Sequence, residues 1–229
     1  MNGKFPVVVG VTGHRNIVEE DKPAIKAQVI EALKEILALC ENRPVVMLNA
    51  FAQGADMLCA EAAFELGIEV RAVLPCEKER YINSFDDQKD KSKLFAYLEK
   101  TSEQFVSPDI EKCKERYKKA VNMDDESYEY RQLGIYMAEQ SHILIALWDG
   151  KPPKVEYGCG TVEVIDFALE RGKTAVWIKS RRYGDGSPAD IKRKWLVSGV
   201  SADCGEEYGG KYRVFDSAPE FLKKGLRMI

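Results

Sequence analysis

Phe5-Pro-Val-Val-Val-Gly-Val-Thr-Gly-His-Arg15 is the stretch of sequence that decides the fold. Its apolar part is an almost unbroken β-branched run, which is typical of a strand buried on both faces in a parallel sheet covered by helices. Because such sheets bind ligands outside the carboxyl ends of their strands, Thr12, Gly13, His14 and Arg15 are candidate ligand-binding residues. Gly13 lets the backbone approach a phosphate, and Arg15 can neutralise it. An ordinary loop with a solvated arginine fits the same residues.

The composition narrows the class of protein. The chain has 229 residues, 45% of them hydrophobic, and a formal net charge of -3, which does not favour a protein that holds duplex DNA by its phosphates. Six cysteines without a Cys-x-x-Cys pair indicate reduced thiols, and two histidines without metal-ligand spacing predict no metal site. Since we find neither a secretory signal nor an apolar run of about 18 residues, we expect a cytoplasmic protein without a membrane partner. We expect no cofactor.

The hydrophobic pattern predicts five buried strands that alternate with helices. The four strands after the first are predicted at 45–49, 68–74, 142–148 and 174–178. This alternation indicates an α/β fold with a doubly wound, mainly parallel sheet and helices on both faces. We interpret residues 1–229 as a single domain with a charged helical insertion at about 77–123. We also expect an irregular C-terminal extension at about 180–229, in which 211–215 form an edge strand.

A second loop with small residues follows the second predicted strand. Gln53-Gly-Ala-Asp56 opens a helix there, and Gly54 and Ala55 let backbone N–H groups point at an anion at the helix N-terminus. We assign Gln53 to Asp56 to a sugar or a phosphate. Asp56 can instead cap the helix, as in a plain tight turn.

A third loop of this kind, Gly158-Cys-Gly-Thr161, opens the helix after the fourth strand. Gly158 and Gly160 permit close backbone approach, and the Thr161 hydroxyl can donate a hydrogen bond or cap the helix. Because parallel strands bring their carboxyl ends to one edge of the sheet, three such loops together predict a nucleotide-type site. Tyr128, Tyr130 and Trp148 are candidates for stacking on a base, although each also fits a packing role.

These three loops resemble the SLOG superfamily. The resemblance rests on Val9-Gly-Val-Thr-Gly-His-Arg15, on Ala52-Gln-Gly-Ala-Asp56, and on the segment from Trp148-Asp149-Gly150 to Gly158-x-Gly-Thr161, and it spans about residues 5 to 180. The group includes the Lonely Guy phosphoribohydrolases, often misnamed lysine decarboxylases, the DNA-processing protein A core and ligand-sensing domains of melastatin channels. The resemblance implies a Rossmann-like fold, a nucleotide-derived small-molecule ligand and a homo-oligomer.

The phosphoribohydrolase branch of this group implies a second hypothesis, cleavage of the N-glycosidic bond between a base and a ribose. Its motif places a catalytic Glu three residues after the Thr, where this chain has Val164, and an acid stands one place earlier, at Glu163. A shift of one residue turns a side chain by about 100° around a helix. Under this hypothesis Glu163 is the catalytic acid, Asp56 is the runner-up and Arg131 holds the phosphate.

A third hypothesis is the binding of single-stranded DNA, which needs a basic groove. Two clusters, Lys179-Ser-Arg-Arg182 and Lys192-Arg-Lys194, can supply one, and they fit a solvated surface as well. The three hypotheses stay open at the level of the sequence.

Overall fold

The computed structural model describes residues 5–41, 43–108, 124–152, 160–198, 206–208 and 211–228. The strands are β1 (Val7–Gly13), β2 (Val45–Asn49), β3 (Glu69–Leu74), β4 (Glu103–Val106), β5 (Ile143–Trp148), β6 (Thr174–Lys179), β7 (Arg193–Ser198), β8 (Glu206–Tyr208) and β9 (Tyr212–Phe215). The helices are α1 (Lys22–Cys40), α2 (Ala55–Glu65), α3 (Lys78–Asn83), α4 (Gln88–Leu98), α5 (Asp125–Gln140), α6 (Thr161–Glu170) and α7 (Glu220–Met228), and a short 3-10 helix spans Glu19–Asp21.

The described strands form one sheet in the order β4-β3-β2-β1-β5-β6-β7-β9-β8. The six strands from β4 to β6 are parallel, and β7, β9 and β8 join them in antiparallel fashion. Successive crossovers run outward from β1 to β2, β3 and β4, and the chain then returns to place β5 on the other side of β1. The order therefore reverses between β1 and β5, and a doubly wound sheet offers its ligand crevice at the carboxyl ends of such a pair.

The strands are buried on both faces, as the apolar runs predict. On β5, Ile143, Ile145 and Leu147 pack with α1, α2, α4 and α7 on one face, whereas Leu144 and Ala146 pack against α5 and α6 on the other. Alternate residues of a strand point to opposite faces, so a run without polar residues fills two layers at once. The doubly wound α/β sheet with helices on both faces is confirmed.

Two segments differ from the sequence-based prediction. The predicted helical insertion at 77–123 also contains β4, which pairs in parallel with β3, and residues 109–123 lie outside the described part. The extension at 180–229 is not irregular throughout, because it contributes β7, β8, β9 and α7. The predicted edge strand at 211–215 exists as β9, but it lies between β7 and β8. The short strands β4 and β8 have no apolar run, which makes them hard to detect from the sequence.

Among the described helices, none combines the length and the apolar character that crossing a membrane requires.

Candidate functional site

The three predicted loops approach one another around the carboxyl end of β1. The residues concerned, which we call the rim, are Gly13–Arg15, Gly54–Ala55, Asp149 and Gly160–Thr161. Three kinds of contact hold them together: main-chain bonds from β1 to β5, main-chain bonds from α2 to the β1 loop, and side-chain contacts of His14. The structure therefore brings together the site residues predicted from all three loops. Gly158 lies outside the described residues.

His14 lies at the centre of the rim. Its Nε2 is 3.2 Å from Asp149 Oδ1 and 3.3 Å from the Asp149 main-chain nitrogen, and its Nδ1 is 3.5 Å from Thr161 Oγ1. Burial lowers the pKa of His14 below its ordinary value, because the opposing effect of Asp149 is smaller. The imidazole is therefore mostly neutral at pH 7, and it links the β1 loop to both the β5 loop and the start of α6.

The second loop packs tightly against the first. Gly54 has φ +75°, and a Cβ built on it would lie 2.3 Å from the Arg15 carbonyl oxygen and 2.6 Å from that of His14. The amide of Ala55 donates to the His14 carbonyl at 3.1 Å, and the amide of Met57 donates to the Ala52 carbonyl at 3.2 Å. These N–H groups at the start of α2 already have protein acceptors. Gly54 is therefore required for the contact between the two loops.

Two buried polar side chains, Asn49 and Asp56, form hydrogen bonds with the backbone of this second loop. Asn49 accepts the Phe51 amide on Oδ1 at 2.6 Å and donates to the Asp56 carbonyl at 2.9 Å, which holds Phe51 at φ +56°. Asp56 Oδ2 accepts the Ala52 amide at 3.3 Å. Burial raises the pKa of Asp56 to about 7, although the Ala52 amide and the Arg15 charge oppose the shift.

Gln53, which we assigned to a sugar or a phosphate, donates its side-chain amide to Asp90 of α4 at 3.0 Å. The structure thus gives both Gln53 and Asp56 contacts within the protein. Their predicted role toward a ligand stays a prediction.

The N-terminus of α6 is less crowded than the N-terminus of α2. Gly160 has φ -89°, and a Cβ added there meets no atom within 4 Å. The Thr161 side chain faces His14, as described above. An uncrowded helix N-terminus of this kind, with a hydroxyl and an imidazole beside it, is suited to hold an anion.

Arg15 extends from the rim over an aromatic ring. Its guanidinium carbon lies 4.7 Å from the centre of the Tyr130 ring, a cation–π contact that orients the side chain while leaving it exposed to solvent. Trp148, by contrast, is buried, and its indole nitrogen donates to the Lys151 carbonyl at 2.9 Å. The interpretation of Trp148 as a base-stacking residue is therefore wrong, since the ring is a core residue packed against Trp177.

Arg131 and Glu163, proposed from the resemblance as phosphate ligand and catalytic acid, pair with each other. Arg131 donates from Nε and Nη2 to Glu163 Oε1 at 3.1 and 2.8 Å. Glu163 Oε2 is buried and has no hydrogen-bond partner among the described residues. Burial raises the pKa of Glu163, and the Arg131 charge opposes the shift. Arg131 is thus directed at a protein carboxylate.

No group of three or more His, Cys, Asp or Glu side chains in the described part of the chain is arranged to hold a metal ion. The described cysteines, Cys40, Cys59 and Cys76, are free and buried.

The sequence analysis does not assign Asp149, of the rim, or the nearby Arg182 to the ligand site. Asp149 directly follows β5, beside β1, which is where a sheet of this order places ligand-binding residues. Arg182 belongs to a predicted basic cluster, and its Nη1 lies 3.8 Å from Asp149 Oδ2. The position of Asp149 follows from the strand-end rule, whereas that of Arg182 depends on the pairing of its loop with Asn16 and Ile17.

Comparisons with known proteins do not assign a function to this chain. No family model matches the chain, and no curated protein matches it by sequence. Among solved structures, the chain is similar to the X-ray structure of DNA processing protein A from Streptococcus pneumoniae, with 16% identity and a TM-score of 0.49. The match covers 80% of this chain and 53% of that one, so the chain spans about half the length of that protein. A likeness at this level carries no functional argument.

Proposed function

We propose that this chain binds a nucleotide or a nucleotide-derived small molecule at the rim, with a phosphate of the ligand at the start of α6. The observation that carries the proposal is the convergence of the loops around His14, which lies 3.5 Å from Thr161 and 3.2 Å from Asp149. An added side chain at Gly160 meets no atom within 4 Å, and Arg15, on the loop after β1, supplies positive charge nearby. A helix N-terminus with donors and cations around it favours a phosphate.

The start of α6 offers a sharp test, because Gly160 tolerates a side chain. Gly160→Asp places a carboxylate where we expect the phosphate, and Gly160→Asn places a neutral group of the same shape there. Both side chains are good helix N-caps, so neither variant should lose stability. We expect Gly160→Asp to bind about tenfold or more weakly than Gly160→Asn, because the added carboxylate repels a phosphate at close range.

The measurement is isothermal titration with ADP-ribose, NAD, AMP and cyclic nucleotides, preceded by a thermal-shift screen. A ligand at 100 times its dissociation constant stabilises the folded state by about 2.7 kcal/mol. Gly186→Asp is the control, since Gly186 lies in an exposed loop and an added Cβ meets no atom within 4 Å. The proposal fails if none of these probes binds, or if the Asp and Asn variants at position 160 bind equally well.

A second candidate function, hydrolysis of an N-glycosidic bond, is favoured by one observation. Glu163 has a raised pKa and a buried oxygen without a hydrogen-bond partner in the described part of the chain, which suit a carboxyl group that exchanges a proton. In this reaction water adds to the anomeric carbon, and the base leaves with the bond electrons and takes up a proton. The test is release of free base from nucleoside monophosphates. We expect Glu163→Gln to abolish it and Glu170→Gln, an exposed change at the end of the same helix, to leave it intact.

The basic clusters do not favour the single-stranded DNA hypothesis. All six cations in them form salt bridges with carboxylates: Lys179 and Lys192 with Asp190, Arg181 with Asp21, Arg182 with Asp149, Arg193 with Glu35, and Lys194 with Asp216. Their positive charge is therefore largely balanced within the protein, and we do not propose this function.

A further inference from the structure

A cavity of about 310 Å³ lies next to the rim, between the end of β3, helix α3 and the start of α5. Its walls are Cys76, Arg80, Asn83, Ser84, Glu126, Glu129 and Tyr130. Tyr130 is also the ring over which Arg15 lies, at 4.7 Å, so one aromatic side chain separates the cavity from the rim. The volume falls at the lower end of the range typical of small-molecule sites.

The charged side chains that line the cavity favour a different ligand group from the one that the rim favours. Glu129 forms a salt bridge with Arg80, and Glu126 adds a second carboxylate to the wall, so the lining carries a net negative charge. Carboxylate oxygens accept hydrogen bonds from N–H and O–H groups and repel phosphate. The rim, with Arg15 and the start of α6, has the reverse preference. A ligand that spans both is therefore anionic at one end and carries hydrogen-bond donors, not anionic groups, at the other.

A buried hydroxyl lies at the boundary between the two regions. Tyr81 is 1% exposed, its ring centre is 6.5 Å from that of Tyr130, and its hydroxyl has no hydrogen-bond partner among the described residues. Burial raises the pKa of Tyr81, and the nearby Asp56 adds to the shift. Buried hydroxyl groups without a partner are uncommon because they lose their hydrogen bonds to water without replacement. The charge of Arg15, at the rim, opposes this shift of the pKa, whereas Cys76, in the cavity wall, adds to it, so groups of both regions act on this hydroxyl.

We propose that this cavity is the second half of the ligand site and that it receives the uncharged, donor-bearing ring of a phosphorylated ligand. This inference rests on the proposed function, since it takes the phosphate end from the rim. The ring is either a sugar with its hydroxyl groups or a nucleobase with its N–H groups, which share the same hydrogen-bonding chemistry. Asn83, whose side-chain amide both donates and accepts, is the residue best suited to select between rings.

The test compares three probes of increasing size: inorganic phosphate, ribose 5-phosphate and AMP. We expect AMP or ribose 5-phosphate to bind at least about tenfold tighter than phosphate, which is the contribution of the cavity. A gain that is already present in ribose 5-phosphate identifies the sugar as the occupant, and a gain that appears with AMP alone identifies the base.

The variant Asn83→Trp fills the cavity without touching the rim, because Asn83 is an exposed residue at the end of α3. We expect it to leave the affinity for phosphate unchanged and to reduce the gain for the larger probes to less than about threefold. Ser92→Trp, at an exposed position of α4, is the matched control and should change neither affinity. Tyr130→Phe and Tyr130→Ala form a second pair, of which the Phe variant should retain the gain.

The failures of the two proposals are distinguishable. If phosphate binds and is weakened by Gly160→Asp, but the larger probes gain nothing or keep their gain in Asn83→Trp, the inference about the cavity is wrong and the proposed function stands. If no probe binds, the proposed function is wrong and the inference falls with it.

Discussion

Gly54 directly precedes α2 and Gly160 directly precedes α6, so the two strand-to-helix loops look alike in sequence. In the structure they differ. Gly54 has a positive φ, and its backbone packs against the carbonyl oxygens of His14 and Arg15. Gly160 has an ordinary φ, and an added Cβ there meets no atom within 4 Å. Gly54 is therefore packed between two elements of the fold, whereas Gly160, directly before α6, is exposed. A glycine before a helix thus marks either a tight backbone contact or an anion site, and the neighbours decide which.

The largest expected effect separates these two glycines directly. Gly54→Ala places a Cβ 2.3 Å from the Arg15 carbonyl oxygen, at a residue whose φ is +75°. Steric overlap and backbone strain therefore both oppose folding of the variant. We expect a loss of about 3 to 5 kcal/mol in the free energy of unfolding, measured by urea denaturation. Gly160→Ala should change it by less than about 0.5 kcal/mol. Equal effects at the two positions would show that the loops do not differ as described.

The next prediction concerns the side chain that holds the packed loop. Asn49→Ala removes the donor to the Asp56 carbonyl, which keeps its bond within α2, and removes the acceptor of the Phe51 amide, which is left buried and unpaired. The expected cost is about 2 to 4 kcal/mol by the same denaturation experiment. Asn83→Ala, at an exposed position, is the control and should cost almost nothing. If Asn49→Ala is tolerated to within about 0.5 kcal/mol, water replaces these bonds and the loop is less tightly packed than described.

Part of what distinguishes the two loops can be predicted from the sequence, and part depends on contacts between residues that are distant in the sequence. The strand that ends at Gly13, the doubly wound sheet and the meeting of three loops follow from hydrophobic runs and from the geometry of parallel strands, which are local or topological properties. The pairing of Arg131 with Glu163 and the burial of Trp148 depend on how α5, α6 and β6 pack across the chain. No spacing in the sequence specifies those contacts. The cavity beside Tyr130 likewise depends on how α3 packs beside the start of α5.

Asp56 allows the packed loop to be probed by pH. The raised pKa of about 7 means that the folded state keeps the proton more firmly than the unfolded state, whose Asp titrates near 3.8. The folded state therefore binds more protons between about pH 4 and 7, and the stability of the protein falls as the pH rises through this window. In Asp56→Asn this fall disappears, so the variant should gain about 1 to 3 kcal/mol relative to the natural protein between pH 4 and 8.

The measurement is the difference in the free energy of unfolding between the two proteins at a series of pH values. Asp90→Asn, at the partner of Gln53 on α4, is a suitable control, because it changes a carboxylate near the same loop at a less buried position. A difference between the natural protein and Asp56→Asn that is constant over this range would mean that Asp56 is not desolvated in the packed loop.

The two histidines lie at opposite ends of the β1–β5 strand pair. We expect their pH effects to be the smallest of those considered. His142 accepts the Val8 amide on Nδ1 at 2.9 Å, and burial, with the charges of Lys173 and Arg43, lowers its pKa. Protonation is therefore disfavoured in the folded state, so stability is present above the ordinary pKa of 6.5 and is lost as the pH falls below it. The loss cannot exceed about 1.4 kcal/mol per pH unit, and His142→Asn, which keeps an acceptor, should remove it.

His14 also has a lowered pKa, from burial opposed by Asp149, but it lies at the rim. Protonation there adds a positive charge and a second N–H donor beside the start of α6, so an anionic ligand should bind more tightly as the pH falls through the pKa of His14. We expect a gain of about threefold to tenfold between pH 7.5 and 5.5 for ADP-ribose, whose diphosphate keeps its charge over this range. His14→Asn should abolish the gain in affinity, and His142→Asn should preserve it. If His142→Asn also removes the pH dependence of binding, the two ends of the strand pair are coupled, and the division between a packed region and a ligand-binding region does not hold.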